Sequence, residues 1–194
     1  MELLEITRSK VRKEILTLYF SNPKKEFYLR ELERISGFSV ANIRRELIKL
    51  EKTGLFQREK RGNLTYYFLN TSYPLFQELK SIINKTSGIP VILRESLQTL
   101  KNIEVAFIYG SFAKGEEKNT SDVDLLIIGV PEEDKLIRVL NAVEKKIQRE
   151  INYAIYSRES YQKRKKERDP FIIDVITGPK IVLVGDENEL QRKS

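Results

Sequence analysis

Along the first half of the chain the apolar positions fall first into helical spacing and then into alternation. Val11, Ile15 and Leu18 recur at i, i+4 and i+7, one face of a helix from about Arg8 to Phe20. Pro23 ends it, because the residue before a proline is pushed out of helical geometry. A second helix, roughly Leu29 to Ser36, turns Leu29, Leu32 and Ile35 inward, and Gly37 breaks it. Ser39 suits the N-cap of a third helix running to about Thr53, with Gly54 just past its end. The inward stripe of that helix is Val40, Ile43, Leu47 and Leu50. Asn42, Arg45 and Lys49 share its opposite face, with Arg44 beside them. "LFQREKRGNLTYYFLN" reads as a β-hairpin turning around Arg61, Gly62 and Asn63. Leu75, Leu79, Ile82 and Ile83 predict a helix packed on that hairpin or on a second subunit. After Gly88 and Pro90, Val91, Leu93, Leu97 and Leu100 carry another helix, which either pairs two protomers as a homodimer or packs within the chain.

The second half alternates strands and helices. "IEVAFIYGS" is β-branched and aromatic, a buried strand ending at Gly110. "DVDLLIIG" is an apolar strand headed by two acids, and "REINYAIYS" is the next strand. "YQKRKKERD" is a strongly basic helix, read as a solvated face, with contact to DNA or an acidic partner as the alternative. Asp174, within "FIIDVITG", reads as a surface residue of a helix.

Composition narrows the chemistry. Of the 194 residues 40% are apolar and 32% charged, and no apolar run approaches the roughly 18 residues of a membrane span. "MELLEITRSKVRKEI" has no signal-peptide pattern, so a cytoplasmic protein with no membrane partner is expected. The chain has no Cys, His or Trp. Disulfides, thiolate or imidazole metal sites and Ser-His or Cys-His catalysis are excluded, and a bound metal must be held by oxygen, which favours Mg²⁺ or Mn²⁺. Charge is lopsided: residues 1–88 hold 17 Lys and Arg against 10 Asp and Glu, whereas residues 89–194 hold 18 against 18. The excess positive charge points to a polyanion partner for the first half alone.

Helix, helix, short turn, helix and a two-stranded hairpin is the order of a winged helix-turn-helix domain. Its recognition helix would meet double-stranded DNA through Asn42, Arg44, Arg45 and Lys49, and the wing tip through Arg58, Lys60 and Arg61. In the second half, Gly110 lets backbone approach a ligand closely, the N–H groups after it face an anion, and Ser111 adds a hydroxyl. Gly110 and Gly115 are spaced as in a Walker phosphate loop, but Glu116 stands where that motif needs Lys. Side chains alternate on a strand, so Asp122 and Asp124 project to one face about 7 Å apart, from two steps of ~3.3 Å. Two such carboxylates repel unless a cation lies between them, which is the arrangement for metal-dependent phosphoryl or nucleotidyl transfer.

Gly110-Ser111, ten residues, then Asp-Val-Asp resembles the signature of the minimal nucleotidyltransferase family within the polymerase-β-like superfamily. The resemblance spans roughly residues 103–185, including "EINYAIY" and the closing "GPKIVLVG". The first half resembles ArsR/MarR-type winged-helix regulators. The resemblance implies that Gly110 and Ser111 bind nucleotide phosphates and that Asp122 and Asp124 bind Mg²⁺. It also implies a third carboxylate on the next strand, where this chain has Asn152; Glu150, two residues earlier, is the substitute. The expected architecture is α+β: a winged-helix DNA-binding domain over 1–88, then a nucleotidyltransferase-fold domain over 89–194 with a mixed sheet flanked by helices. The expected activity is transfer of a nucleoside monophosphate from an NTP to a hydroxyl acceptor. The alternatives are a transcription regulator whose second domain only binds nucleotide or dimerises, and an antitoxin-like partner of a small toxin.

Overall fold

The computed structural model describes residues 9–115 and 122–186, so Arg8, Glu116 and the spacer 116–121 lie outside the described residues. The chain divides into two compact units, one of residues up to Ile89 with Lys146–Gln148, the other of Pro90–Lys145 and residues from Arg149 onward.

The first unit begins with α1 (Lys10–Ser21), whose first turn is capped by the Ser9 side chain accepting from the Arg12 N–H. A two-residue strand β1 (Phe27–Tyr28) leads into α2 (Leu29–Ser36), which ends at Gly37. Ser39 caps α3 (Val40–Lys52) by accepting from the Asn42 N–H, as its hydroxyl and extended backbone favour. Strands β2 (Phe56–Arg61) and β3 (Leu64–Leu69) form a hairpin in which Arg61 faces Leu64. The two turn residues are therefore Gly62 and Asn63. Only Gly62 has positive φ (60°), the requirement of a II′ turn at its first central residue. β1 adds to β3, giving a three-stranded antiparallel sheet in the order β1-β3-β2.

One core serves this unit. Ile43, Leu47 and Leu50 from α3 are buried with Ile15, Tyr19 and Phe20 from α1. Tyr19 meets Phe27 and Phe56 edge-on at 5.2 and 4.8 Å, and its hydroxyl donates to the Tyr67 carbonyl. Burial pushes the Tyr19 phenol well above its ordinary pKa, so it stays a neutral donor. α4 (Phe76–Thr86) packs on α1 through Phe76 against Phe20. Leu75 lies one residue before this helix and is exposed, because the buried stripe is Phe76, Leu79 and Ile83.

The second unit opens with α5 (Ile89–Leu97). It starts two residues earlier than the apolar spacing predicts, because Pro90 fits a first helical turn, where no N–H partner is needed. Four strands follow: β4 (Ile103–Tyr109), β5 (Val123–Gly129), β6 (Ile151–Tyr156) and β7 (Ile181–Val184). They form a mixed sheet in the order β6-β5-β4-β7, with β5 and β6 parallel and the other pairs antiparallel. The parallel pair is joined by α7 (Glu133–Ile147), the crossover such pairing requires. α6 (Gly110–Lys114) is a single turn after β4, and α8 (Arg158–Lys166) and α9 (Pro170–Thr177) precede β7. Tyr161 from α8 and Ile172 and Val175 from α9 cover Val105, Phe107, Leu126 and Ile128 on one face of the sheet. The sheet is mixed and flanked by helices, as expected from the sequence. Asp174 is exposed on α9. No helix among the described residues is long and apolar enough to cross a membrane.

Candidate active site

The acids sit where three strands end together. Asp124 is the second residue of β5, its Cα opposite Tyr109 at the end of antiparallel β4 and opposite Asn152 on parallel β6. Gly110 directly follows Tyr109 with φ +71°, and a Cβ built there would stand 2.5 Å from Asp124 Oδ2. Glycine is thus required twice at this position, for its left-handed backbone and for the carboxylate that occupies the space of a side chain. Ser111 follows in the first turn of α6. Gly110, Ser111, Asp122 and Asp124 therefore belong to one corner of the second unit.

Asn152 stands between the carboxylates. Its Nδ2 donates to Asp122 Oδ2 at 3.1 Å. Burial raises the Asp124 carboxyl above its ordinary pKa; hydrogen bonding from Asn152 offsets this, and the Asp122 charge adds to it. That balance marks two acids held close together and partly shielded from water. The register aligns Asn152 with Asp124, at the strand position where the family resemblance led us to expect a third carboxylate.

Glu150 is the substitute carboxylate that the sequence suggests. It precedes β6, is exposed, and its backbone carbonyl accepts the Val123 N–H at 2.9 Å. Among the described residues no group of three or more acidic side chains gathers where a metal could be held. The donor set is two carboxylates. With hard oxygen ligands only, it fits Mg²⁺ or Mn²⁺ with remaining positions filled by phosphate oxygen or water.

The cationic residues predicted in the first unit differ in availability. On α3, Arg44 and Arg45 are exposed, and Arg45 donates to Asn42 Oδ1 at 3.2 Å. Lys49 lies 3.7 Å from Glu46. On the hairpin, Arg58 pairs with Glu51 at 2.9 Å, and Arg61 is held by Glu26 and Glu59 and lies 5.2 Å from the Tyr66 ring. These carboxylates raise the Arg61 guanidinium pKa further. Lys60 is exposed. Two of the three wing-tip cations are therefore already engaged by acids of their own unit.

Sequence reasoning passed over Glu46. It lies three residues after Ile43 and four before Leu50, on the buried stripe, and pairs with Arg12 Nε at 2.9 Å with both side chains nearly covered. An acid at an inward helical position was the available signal.

Residues 92–168 match the family model described as Polymerase beta, Nucleotidyltransferase. The matched span contains Gly110, Ser111, Asp122, Asp124 and Asn152. No curated protein matches the sequence. Among solved structures, a toxin-antitoxin crystallised with AMP-PNP is similar at 8% identity and a TM-score of 0.40, over 53% of this chain and 78% of that one. A mutant of the toxin-antitoxin MntA-HpeT is similar at 7% identity and a TM-score of 0.39, over 51% and 75%. A Sulfolobus solfataricus protein described as a nucleotidyltransferase is 20% identical with a TM-score of 0.28, over 48% and 73%. Over residues 92–168, therefore, the chain is similar to the family described as Polymerase beta, Nucleotidyltransferase.

Proposed function

We propose that the second unit binds a nucleoside triphosphate with Mg²⁺ or Mn²⁺ at Asp122 and Asp124 and transfers its nucleoside monophosphate to a hydroxyl acceptor. The observation that carries this reading is the direct abutment of Gly110 on the Asp124 carboxylate. A Gly-Ser turn made for close approach and a carboxylate pair made for a cation thereby share one corner, which a triphosphate–metal complex needs. Asp122 and Asp124 hold the cation, Gly110 admits phosphate to the backbone, and the Ser111 hydroxyl donates to a phosphate oxygen. The Asn152 amide donates to Asp122 and keeps the pair oriented. When bound, the divalent ion neutralises triphosphate charge and polarises the phosphoryl oxygens for in-line attack.

Incubating the full chain with α-labelled ATP, Mg²⁺ and hydroxyl-bearing acceptors (small molecules, proteins, RNA) tests it. Label should reach an acceptor with the wild type and fall to background with Asp122→Ala/Asp124→Ala. ATP binding without any transfer would sink the transfer step. One observation favours that narrower outcome as a second reading: Asn152 occupies the third position and has no basic group to take the acceptor proton. The unit would then sense nucleotide rather than turn it over.

We further propose that the first unit is a winged helix that binds double-stranded DNA. The order α1, β1, α2, α3 and hairpin supports this, as does the concentration of positive charge in residues 1–88. Arg44 and Arg45 on α3 are its base- and phosphate-facing cations, with Lys49 beside them, and Lys60 is the wing-tip contact. Arg58 and Arg61 shape the wing instead, because their partners are Glu51, Glu26 and Glu59.

A further inference from the structure

We propose that the ring pair of Tyr109 and Phe171 is the surface on which the nucleobase stacks, a role that rests on the nucleotide-binding reading of the Asp122–Asp124 corner. Tyr109 is directly opposite Asp124 across the β4–β5 pair, and residues so paired project to the same face of a sheet. The acids and this ring therefore share a face. Tyr109 is half-buried and backed by the core formed by Phe107, Leu126 and Ile172. Phe171, from the first turn of α9, meets it edge-on with ring centroids 5.8 Å apart. Phe171 itself is 39% exposed, so the outer ring of the pair is left open to solvent.

A single exposed phenylalanine is ordinary on a protein surface. This one is held in place. Asp169 caps α9 by accepting the Ile172 N–H at 3.1 Å, and its other oxygen accepts from Arg164 at 2.9 Å. Arg164 in turn lies over the Tyr156 ring at 5.3 Å, on the strand that carries Asn152. The first turn of α9 is thus linked to β6 through the Arg164–Asp169 pair and the Tyr156 ring. Phe171 also lies past residue 168, outside the span that the family model matches. A nucleotide whose phosphates lie at Gly110 and Asp124 needs an apolar flat surface for its base. Tyr109 directly precedes Gly110 in the chain and brings such a surface to the corner. Every base has a π-face, so the ring pair accepts all four bases and adds affinity more than selectivity.

The test uses the full chain with Mg²⁺ and compares binding of ATP with binding of inorganic tripolyphosphate, which has no base. Phe171→Ala should weaken ATP by roughly 5- to 100-fold, the range for losing one base–aromatic stack, and leave tripolyphosphate unchanged. Phe171→Trp should restore ATP binding. Because the chain has no tryptophan of its own, the indole introduced there reports alone, and ATP but not tripolyphosphate should quench it. Equal weakening of both ligands by Phe171→Ala, no weakening of ATP, or an indole blind to saturating ATP would overturn the stacking role. Failure of the nucleotide-binding reading looks different: the wild type would bind neither ligand, or Asp122→Ala/Asp124→Ala would leave Mg²⁺-dependent binding intact, and the stacking role would fall with it.

Discussion

At the scale of single residues the second unit concentrates cost where it concentrates chemistry. Asp124 is partly buried beside Asp122, and its carboxyl titrates above the ordinary range because burial and then that neighbour oppose its charge, despite help from Asn152. A carboxyl whose folded pKa is raised weakens the fold when it is ionised. The penalty is full above the folded pKa and vanishes below the unfolded value near 3.8, where the group is neutral in both states. Asp124→Asn should therefore raise the unfolding midpoint in chelator-treated protein at pH 7, and the gain should disappear as the pH falls below 4. Thermal unfolding of both proteins across that range, without divalent metal, checks it. A gain that persists or grows in acid contradicts the assignment. If Asp124 holds the cation as proposed, the same variant should lose Mg²⁺-dependent ATP binding.

At the scale of elements, α3 is held by more than its apolar stripe. Ser39 caps it, Ile43, Leu47 and Leu50 bury it, and Glu46 ties it to Arg12 of α1 through a pair with side chains 10% and 6% exposed. Removing one partner of a buried pair is destabilising, whereas replacing both with apolar groups is often neutral. Glu46→Ala should thus lower the unfolding free energy, because the Arg12 guanidinium loses its buried carboxylate partner. The double variant Arg12→Met/Glu46→Leu should recover most of that loss in denaturant titrations. A single variant as stable as wild type would show the pair to be dispensable. If the first unit binds DNA through the exposed face of α3, that affinity should also fall with Glu46→Ala, although Glu46 itself faces the core.

At the scale of the whole molecule, the positive excess lies in residues 1–88, and the charge of the remainder balances. If the first unit binds DNA, affinity for a duplex should fall linearly on a log–log plot against salt, with a slope of about −0.9 per phosphate neutralised. Arg44→Ala and Arg45→Ala should each weaken binding of the full chain, and where the lost contact is to phosphate the slope should shrink by roughly one such unit. Arg61→Ala should leave the slope almost unchanged, because Glu26 and Glu59 already neutralise that guanidinium. Fluorescence anisotropy over a salt series decides between these, and a flat salt response sinks the DNA reading. The limits of α2, the Ser39 cap, the turn at Gly62 and the strand ending at Gly110 were legible from residue order, because spacing, caps and turn glycines act over a few residues. So was the shared face of the two aspartates, since alternation along a strand is local. Tertiary structure alone decided the rest. Which strand lies beside β5, and hence that Asn152 meets Asp122, depends on pairing between segments about thirty residues apart. That Glu26 claims Arg61 and that Phe171 reaches Tyr109 depend on the same kind of long-range packing. Local periodicity assigns a residue to a face, and only the folded chain brings two faces together.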